Sequence, residues 1–357
     1  MALLTAKRLA GAVAGGGACY CYWQTRQAEL LRVESTKTCG ALLRVTQGGG
    51  QRWLSLGSVI QSIAYVEADS GRASLTQVEE WTQLITVIAD CWLQQQLWPP
   101  AGQLESAEAQ DAHESPRALF LGVGGAVVQR SLLALNATLS IRSVEFEPEV
   151  LEAAQRHFGL TLTERCTATV ADASSFVGRC EETYDLIVVD CFTDEGLAPS
   201  VAGGALFRDL PPRLERGGLC LVNTWSAAHG EAARRLAASL CKTFDAVYLC
   251  ECQCQNVPLR GGSTIPNVIV LCHQGEVRDA AAWRHALLAA RPRAEAMCPD
   301  LIVELQGEQA GVLQRLHCVG GRKARACVHE RAALVAGLSN SRSAVVTYTH
   351  RLCVCEP

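Results

Sequence analysis

From Arg117 onward the chain alternates short apolar runs with segments of helical periodicity. ALFLGV (118–123) has the composition of a strand, and AVVQRSLLAL (126–135) carries apolar residues at helical spacing. IRSVEFE (141–147) reads as a second strand. Pro148 then stands where a helix begins, and EVLEAAQRHF runs to Gly159, a residue suited to follow a helix end. CTATVAD, YDLIVVDCF and GLCLVNTW read as three more strands, the middle one nearly all apolar, as in a strand covered on both faces. After the helical HGEAARRLAASLCKTF, the runs AVYLCECQC and NVIVLC lie too close together for a helical crossover and predict an antiparallel hairpin at the sheet edge. The whole predicts a doubly wound, mainly parallel seven-stranded α/β sheet.

Upstream the pattern differs. LLRVES, GALLRVT and RWLSLG, broken by glycines, predict a small β-rich segment. Residues 75–97 carry Leu75, Val78, Trp81, Leu84, Ile85 and Ile88 at helical spacing and predict a helix that stops before Pro99-Pro100. Four stretches follow: 1–30, 31–110 (β-rich segment and helix), 111–275 (the α/β domain) and 276–357, an extension without a clear pattern. The first 28 residues hold Lys7, Arg8 and Arg26 and no acid. They read as an N-terminal tail or as a transit segment, so the expected location is cytoplasmic, with a mitochondrial or other organellar one as the alternative.

Composition narrows the function classes. With 49% hydrophobic residues the chain is not a disordered one, and a net charge of −4 argues against a nucleic-acid binder. The longest apolar stretch, Leu9 to Trp23, is too short to span a bilayer. Eighteen cysteines raise the question of disulfides or metal. No C-x-x-C pair exists, and many fall within predicted strands and helices, where a thiol acts as a small apolar side chain. No metal site is expected.

In open parallel sheets, ligands bind outside the carboxyl ends of the strands. The loop Gly122-Val123-Gly124-Gly125 lies at the first such end. It reads as a close-approach loop for a ligand or as a plain tight turn, and Val127 stands where a nicotinamide fingerprint wants glycine. Glu145 ends the second strand, where a carboxylate accepts ribose hydroxyls or simply faces solvent. Asp172 ends the third, as an acceptor for an exocyclic amine or as a helix N-cap. Asp190 ends the apolar fourth strand, where an ionised group costs energy unless paired or functional. It is the catalytic candidate.

The ordered series RALFLGVGGAVVQRSL, VEFEPEVLEAAQRHFGL, VADASSFV, YDLIVVDCFTDEGLAP and LERGGLCLVN, with LSLGSVIQS upstream, resembles the spermidine-synthase-like branch of the Rossmann-like S-adenosylmethionine-dependent transferases over residues 38–275. The resemblance implies a Rossmann-like sheet and S-adenosylmethionine, or its decarboxylated form, as cofactor. Gly122, Gly124 and Gly125 would approach its methionine and ribose part, Glu145 the ribose hydroxyls, and Asp172 with Ala173 the adenine. Asp190 would orient and deprotonate the attacking amine. Gln61 is a substrate-side candidate, and Asp194 and Glu195, in the loop after Asp190, read either as acids that bind a cationic substrate or as plain loop acids. Three positions depart from the pattern. Gly125 stands where those synthases have Asp in the loop, the acid after Asp190 comes one residue late, and Gln77-Val78 replaces a Tyr-Gln or Tyr-His pair.

Methyl transfer to a small molecule or a protein side chain is therefore the leading expectation. The alternatives are a divergent aminopropyltransferase of the spermidine-synthase kind and a non-catalytic scaffold. A homodimer is expected as the assembly.

Overall fold

The computed structural model describes residues 29–57, 59–97, 115–193, 196–202, 204–225, 231–252, 257–258, 264–265, 267–274, 293–298 and 316–320. The segment before residue 29, the linker at 98–114 and most of the C-terminal extension lie outside the described residues.

An antiparallel sheet opens the chain: β1 (Glu29–Ser35), β2 (Leu42–Gly48), β3 (Gln51–Leu56), β4 (Val59–Val66) and β5 (Ala73–Gln77), paired in that order. Here one expectation is corrected. The helix predicted from residue 75 begins only at Glu80, as α1 (Glu80–Leu97), because residues 73–77 pair with β4. The apolar spacing at Leu75 and Val78 is shared by a strand end and a helix start, and sheet pairing decides between them.

The central sheet follows as the alternation predicts. Strands β6 (Arg117–Leu121), β7 (Ser140–Glu145), β8 (Cys166–Val170) and β9 (Tyr184–Val189) are parallel. Between them stand α2 (Val127–Leu135), α3 (Pro148–His157) and α4 (Ala173–Arg179). A two-residue ladder, β10 (Phe192–Thr193) with β11 (Gly196–Leu197), and the short helices α5 (Pro199–Ala202) and α6 (Ala205–Asp209) lead to β12 (Leu214–Trp225) and α7 (Glu231–Thr243). Next come β13 (Ala246–Glu251), a second small ladder of β14 (Val257–Pro258) with β15 (Thr264–Ile265), and β16 (Asn267–His273). β16 runs antiparallel between β12 and β13, so the expected seven strands end in the expected antiparallel pair. An eighth strand, β17 (Leu316–Gly320) from the C-terminal extension, covers β13 and takes the place of that edge.

The strands are apolar on both sides because both faces are covered. Phe120, Val188, Leu221 and Ile269 pack with α1 through Trp81, Leu84, Ile85 and Trp92. Their neighbours Leu121, Val189, Val222 and Val270 point the other way, onto Val177, Phe207, Leu236 and Leu240. The N-terminal sheet packs Leu43, Val45 and Leu54 against Val127, Val150 and Phe158, so its β4 lies over the glycine loop.

Candidate active site

The carboxyl ends of β6, β7, β8 and β9 open into a cavity of about 330 Å³, roofed by β4 and the start of α1. That volume is in the range of small-molecule sites, roughly 300–1,000 Å³. Gly122, Gly124, Glu145, Asp172, Ala173, Asp190 and Gln61 all line it, so residues far apart in sequence converge on one space. Asp194 and Glu195 lie outside the described residues.

Gly122 has φ +98°, and a Cβ there would stand 2.1 Å from the carbonyl oxygen of Asp190. Only glycine permits β6 and β9 to end side by side in this way. Gly125 is set back from the cavity. Its N–H donates to Ser62 Oγ at 2.7 Å, and a Cβ would meet Ser62 Cβ at 2.8 Å and Phe158 Cδ1 at 2.9 Å. Gly125 thus packs under β4, while Gly122 and Gly124 line the cavity.

Glu145 is buried and accepts from Val123 N at 2.9 Å through Oε2, and from Phe146 N at 2.9 Å and Glu147 N at 3.1 Å through Oε1. Burial pushes its carboxyl above the usual range, and these backbone bonds oppose the shift. The acid thus holds the glycine loop while bordering the cavity. Asp172 is the helix N-cap, Oδ1 accepting from Ser175 N at 2.8 Å, and the residue also lines the cavity.

Asp190 lies partly buried at the cavity floor. Its Oδ1 accepts from Asn223 Nδ2 at 2.9 Å. Burial raises its carboxyl to about 6; the Asn223 bond opposes this and Glu145 adds to it. A carboxyl in that range is suited to exchange protons near neutral pH.

Three cavity residues were not singled out from the sequence. Glu79 is buried just before α1, accepts from Ile63 N at 3.2 Å, and is pushed up to about 7 by burial, with Asp190 contributing. It sits beside Gln77-Val78, where the resemblance pointed, but Gln77 itself is buried away from the cavity on Thr86 and Ser131. Asn223 and Asn267 close the far wall. Their signal in sequence is an amide directly beside an apolar run, CLV before Asn223 and VIVLC after Asn267.

No family model matches the chain. Among curated proteins it is 27% identical over 124 residues to the polyamine aminopropyltransferase of Thermoplasma volcanium, covering 34% of this chain and 45% of that one. It is 23% identical over 183 residues to polyamine aminopropyltransferase 2 of Pseudomonas aeruginosa, covering 45% and 52%. The chain thus matches about half the length of these curated relatives. A probable spermidine synthase from Corynebacterium glutamicum superposes with a TM-score of 0.55 at 17% identity, over 76% of this chain and 95% of that one. The chain shares the Rossmann-like fold of that structure.

The cavity offers a ligand both donors and acceptors. Glycines bring the backbone to its edge, Gln61 Nε2 is a buried donor without a partner among the described residues, and Glu145 and Asp172 are acceptors at neighbouring strand ends. Cys191 borders the cavity, but burial and the nearby acids raise its thiol far above the ordinary range, and Sγ donates to Leu121 O at 3.2 Å. It is a packed thiol rather than a reactive one.

Proposed function

We propose that this protein transfers a carbon group from a sulfonium nucleoside of the S-adenosylmethionine type to an amine nitrogen, with Asp190 as proton acceptor. When bound, such a nucleoside supplies an electrophilic carbon next to a positively charged sulfur. The chain's own residues do the rest. Glu145, Asp172 with Ala173, and Gln61 would hold the nucleoside along the strand ends. Asp190 Oδ2, which takes no hydrogen bond from the described residues, faces the amine and receives its proton. The observation that carries the reading is this half-free carboxylate at the cavity floor, with a second buried acid, Glu79, beside it.

Aminopropyl transfer is the form that the curated relatives support, and the acidic wall suits a cationic di- or polyamine. A second reading, methyl transfer, is favoured by Gly125. Packed under Ser62 and Phe158, that loop position has no room for a carboxylate to pair with the free amine of a decarboxylated cofactor.

Calorimetry with S-adenosylmethionine, its decarboxylated form and methylthioadenosine separates the readings, followed by turnover of putrescine. Tighter binding of the decarboxylated form, with spermidine produced, is expected for aminopropyl transfer. Binding of S-adenosylmethionine alone replaces it with methyl transfer. Binding of none leaves a scaffold.

A further inference from the structure

We infer that Asn267, at the start of β16, is a positioning residue for Asp190 and acts through Asn223. The inference rests on the reading of Asp190 as proton acceptor. An ionised carboxylate only accepts hydrogen bonds, so the group that Asn223 turns toward Asp190 Oδ1 at 2.9 Å must be its NH₂. The Asn223 carbonyl oxygen then faces β16, where Asn267 Nδ2 donates to it at 2.8 Å. That leaves Asn267 Oδ1 buried on the cavity wall, without a partner among the described residues.

The amide of Asn223 is nearly symmetric in shape, so packing alone does not choose which end faces Asp190. Asn267 makes the choice, because its donor satisfies only the oxygen end. Turned over, Asn223 would present oxygen to the carboxylate and favour its protonated form. Burial and Glu145, from the end of β7, push the same way, while Asp190 in turn raises Glu79 at the start of α1 and the Cys191 thiol beside it. Among the described residues, the Asn223 bond is the contact that favours the charge. Both asparagines are almost fully buried, at 2% and 4% exposure, next in sequence to the buried apolar Val222 and Val268. Two amides there cost desolvation that an apolar pair would avoid, which fits a role beyond packing.

Carboxyl-carbon NMR titration of the full chain tests this, with the Asp190 signal assigned by its loss in Asp190→Asn. Asn267→Leu, which branches at the same carbon as Asn but offers no donor, should raise the Asp190 midpoint by about one pH unit, the size expected for one lost bond to a charged group. Asn267→Ala carries the same expectation if the leucine variant does not fold. Asn223→Ala should raise the midpoint at least as far, and the double variant no further than Asn223→Ala alone. An unmoved midpoint in the Asn267 variants overturns the inference, as does full additivity in the double variant. The titration needs no turnover. A raised midpoint in a protein inactive toward every donor keeps the relay and discards the transfer reading. A lost activity with an unmoved midpoint does the reverse.

Discussion

At the residue scale, the site depends on atoms that leave no room for substitution. A methyl at Gly122 would overlap the Asp190 carbonyl. Gly122→Ala should therefore lower stability by about 3 kcal/mol, read as a fall in urea midpoint, because backbone and not a flexible side chain must move. Gly125→Asp, which restores the synthase residue, should also destabilise, through Ser62 and Phe158, without tightening the decarboxylated cofactor; calorimetry on the folded fraction checks this. Asp190→Asn should keep nucleoside affinity and lower kcat by about 10²–10⁴, the usual worth of a positioned proton acceptor. In the unsubstituted protein kcat/KM should rise with pH through about 6, as Asp190 ionises. Among cysteines, Cys39 is exposed at the cavity rim while Cys191 is held protonated. Among the cysteines of described exposure, alkylation should fall on Cys39 first, and mass spectrometry should show it slowed by a bound nucleoside.

At the scale of elements, the glycine loop is held from both sides. Ser62 of β4 takes the Gly125 N–H from above, and Glu145 of β7 takes the Val123 N–H from below. The β1–β2 turn is tied down by Glu147, which accepts from Cys39 N at 2.8 Å and Thr38 N at 3.1 Å. A buried acid at the N-terminal end of α3 thus serves as a hook for the N-terminal sheet. Glu147→Ala should strand those amides and cost about 1–3 kcal/mol. Hydrogen exchange at Thr38 and Cys39 should quicken well beyond the change in global stability.

At the scale of the whole molecule, Glu79 and Asp190 are, with Asp90 and Glu145, among the acids that the fold raises above their unfolded values. Such a group binds more protons folded than unfolded, so stability falls as pH rises from the unfolded pKa through the folded one. For Glu79 that window runs from about 4.5 to about 7. Glu79→Gln should flatten the slope and stabilise the unliganded protein at pH 8 by up to about 3 kcal/mol, measured by denaturant unfolding across that range. A slope unchanged by Glu79→Gln would mean that the acid is not strained in the fold. A cationic ligand should offset the same strain and steepen the gain in stability on binding at high pH.

Period and spacing by themselves determined the parallel strands, the helices between them and the antiparallel pair at the end. These follow from local rules: apolar runs buried on both faces, Pro148 opening a helix, Gly159 after its end. They also placed Glu145, Asp172 and Asp190 at strand ends, which is where a doubly wound sheet puts its ligands. Three things were decided only in the tertiary structure. Residues 73–77 became a strand because β4 offered hydrogen bonds that a helix start could not match. Gly125 became a packing position because β4, some 60 residues earlier, crosses above it. Glu79, Asn223 and Asn267 became a wall around Asp190 because α1, β12 and β16 converge there. Each depends on which distant residue comes within hydrogen-bond reach, and no local pattern carries that distance.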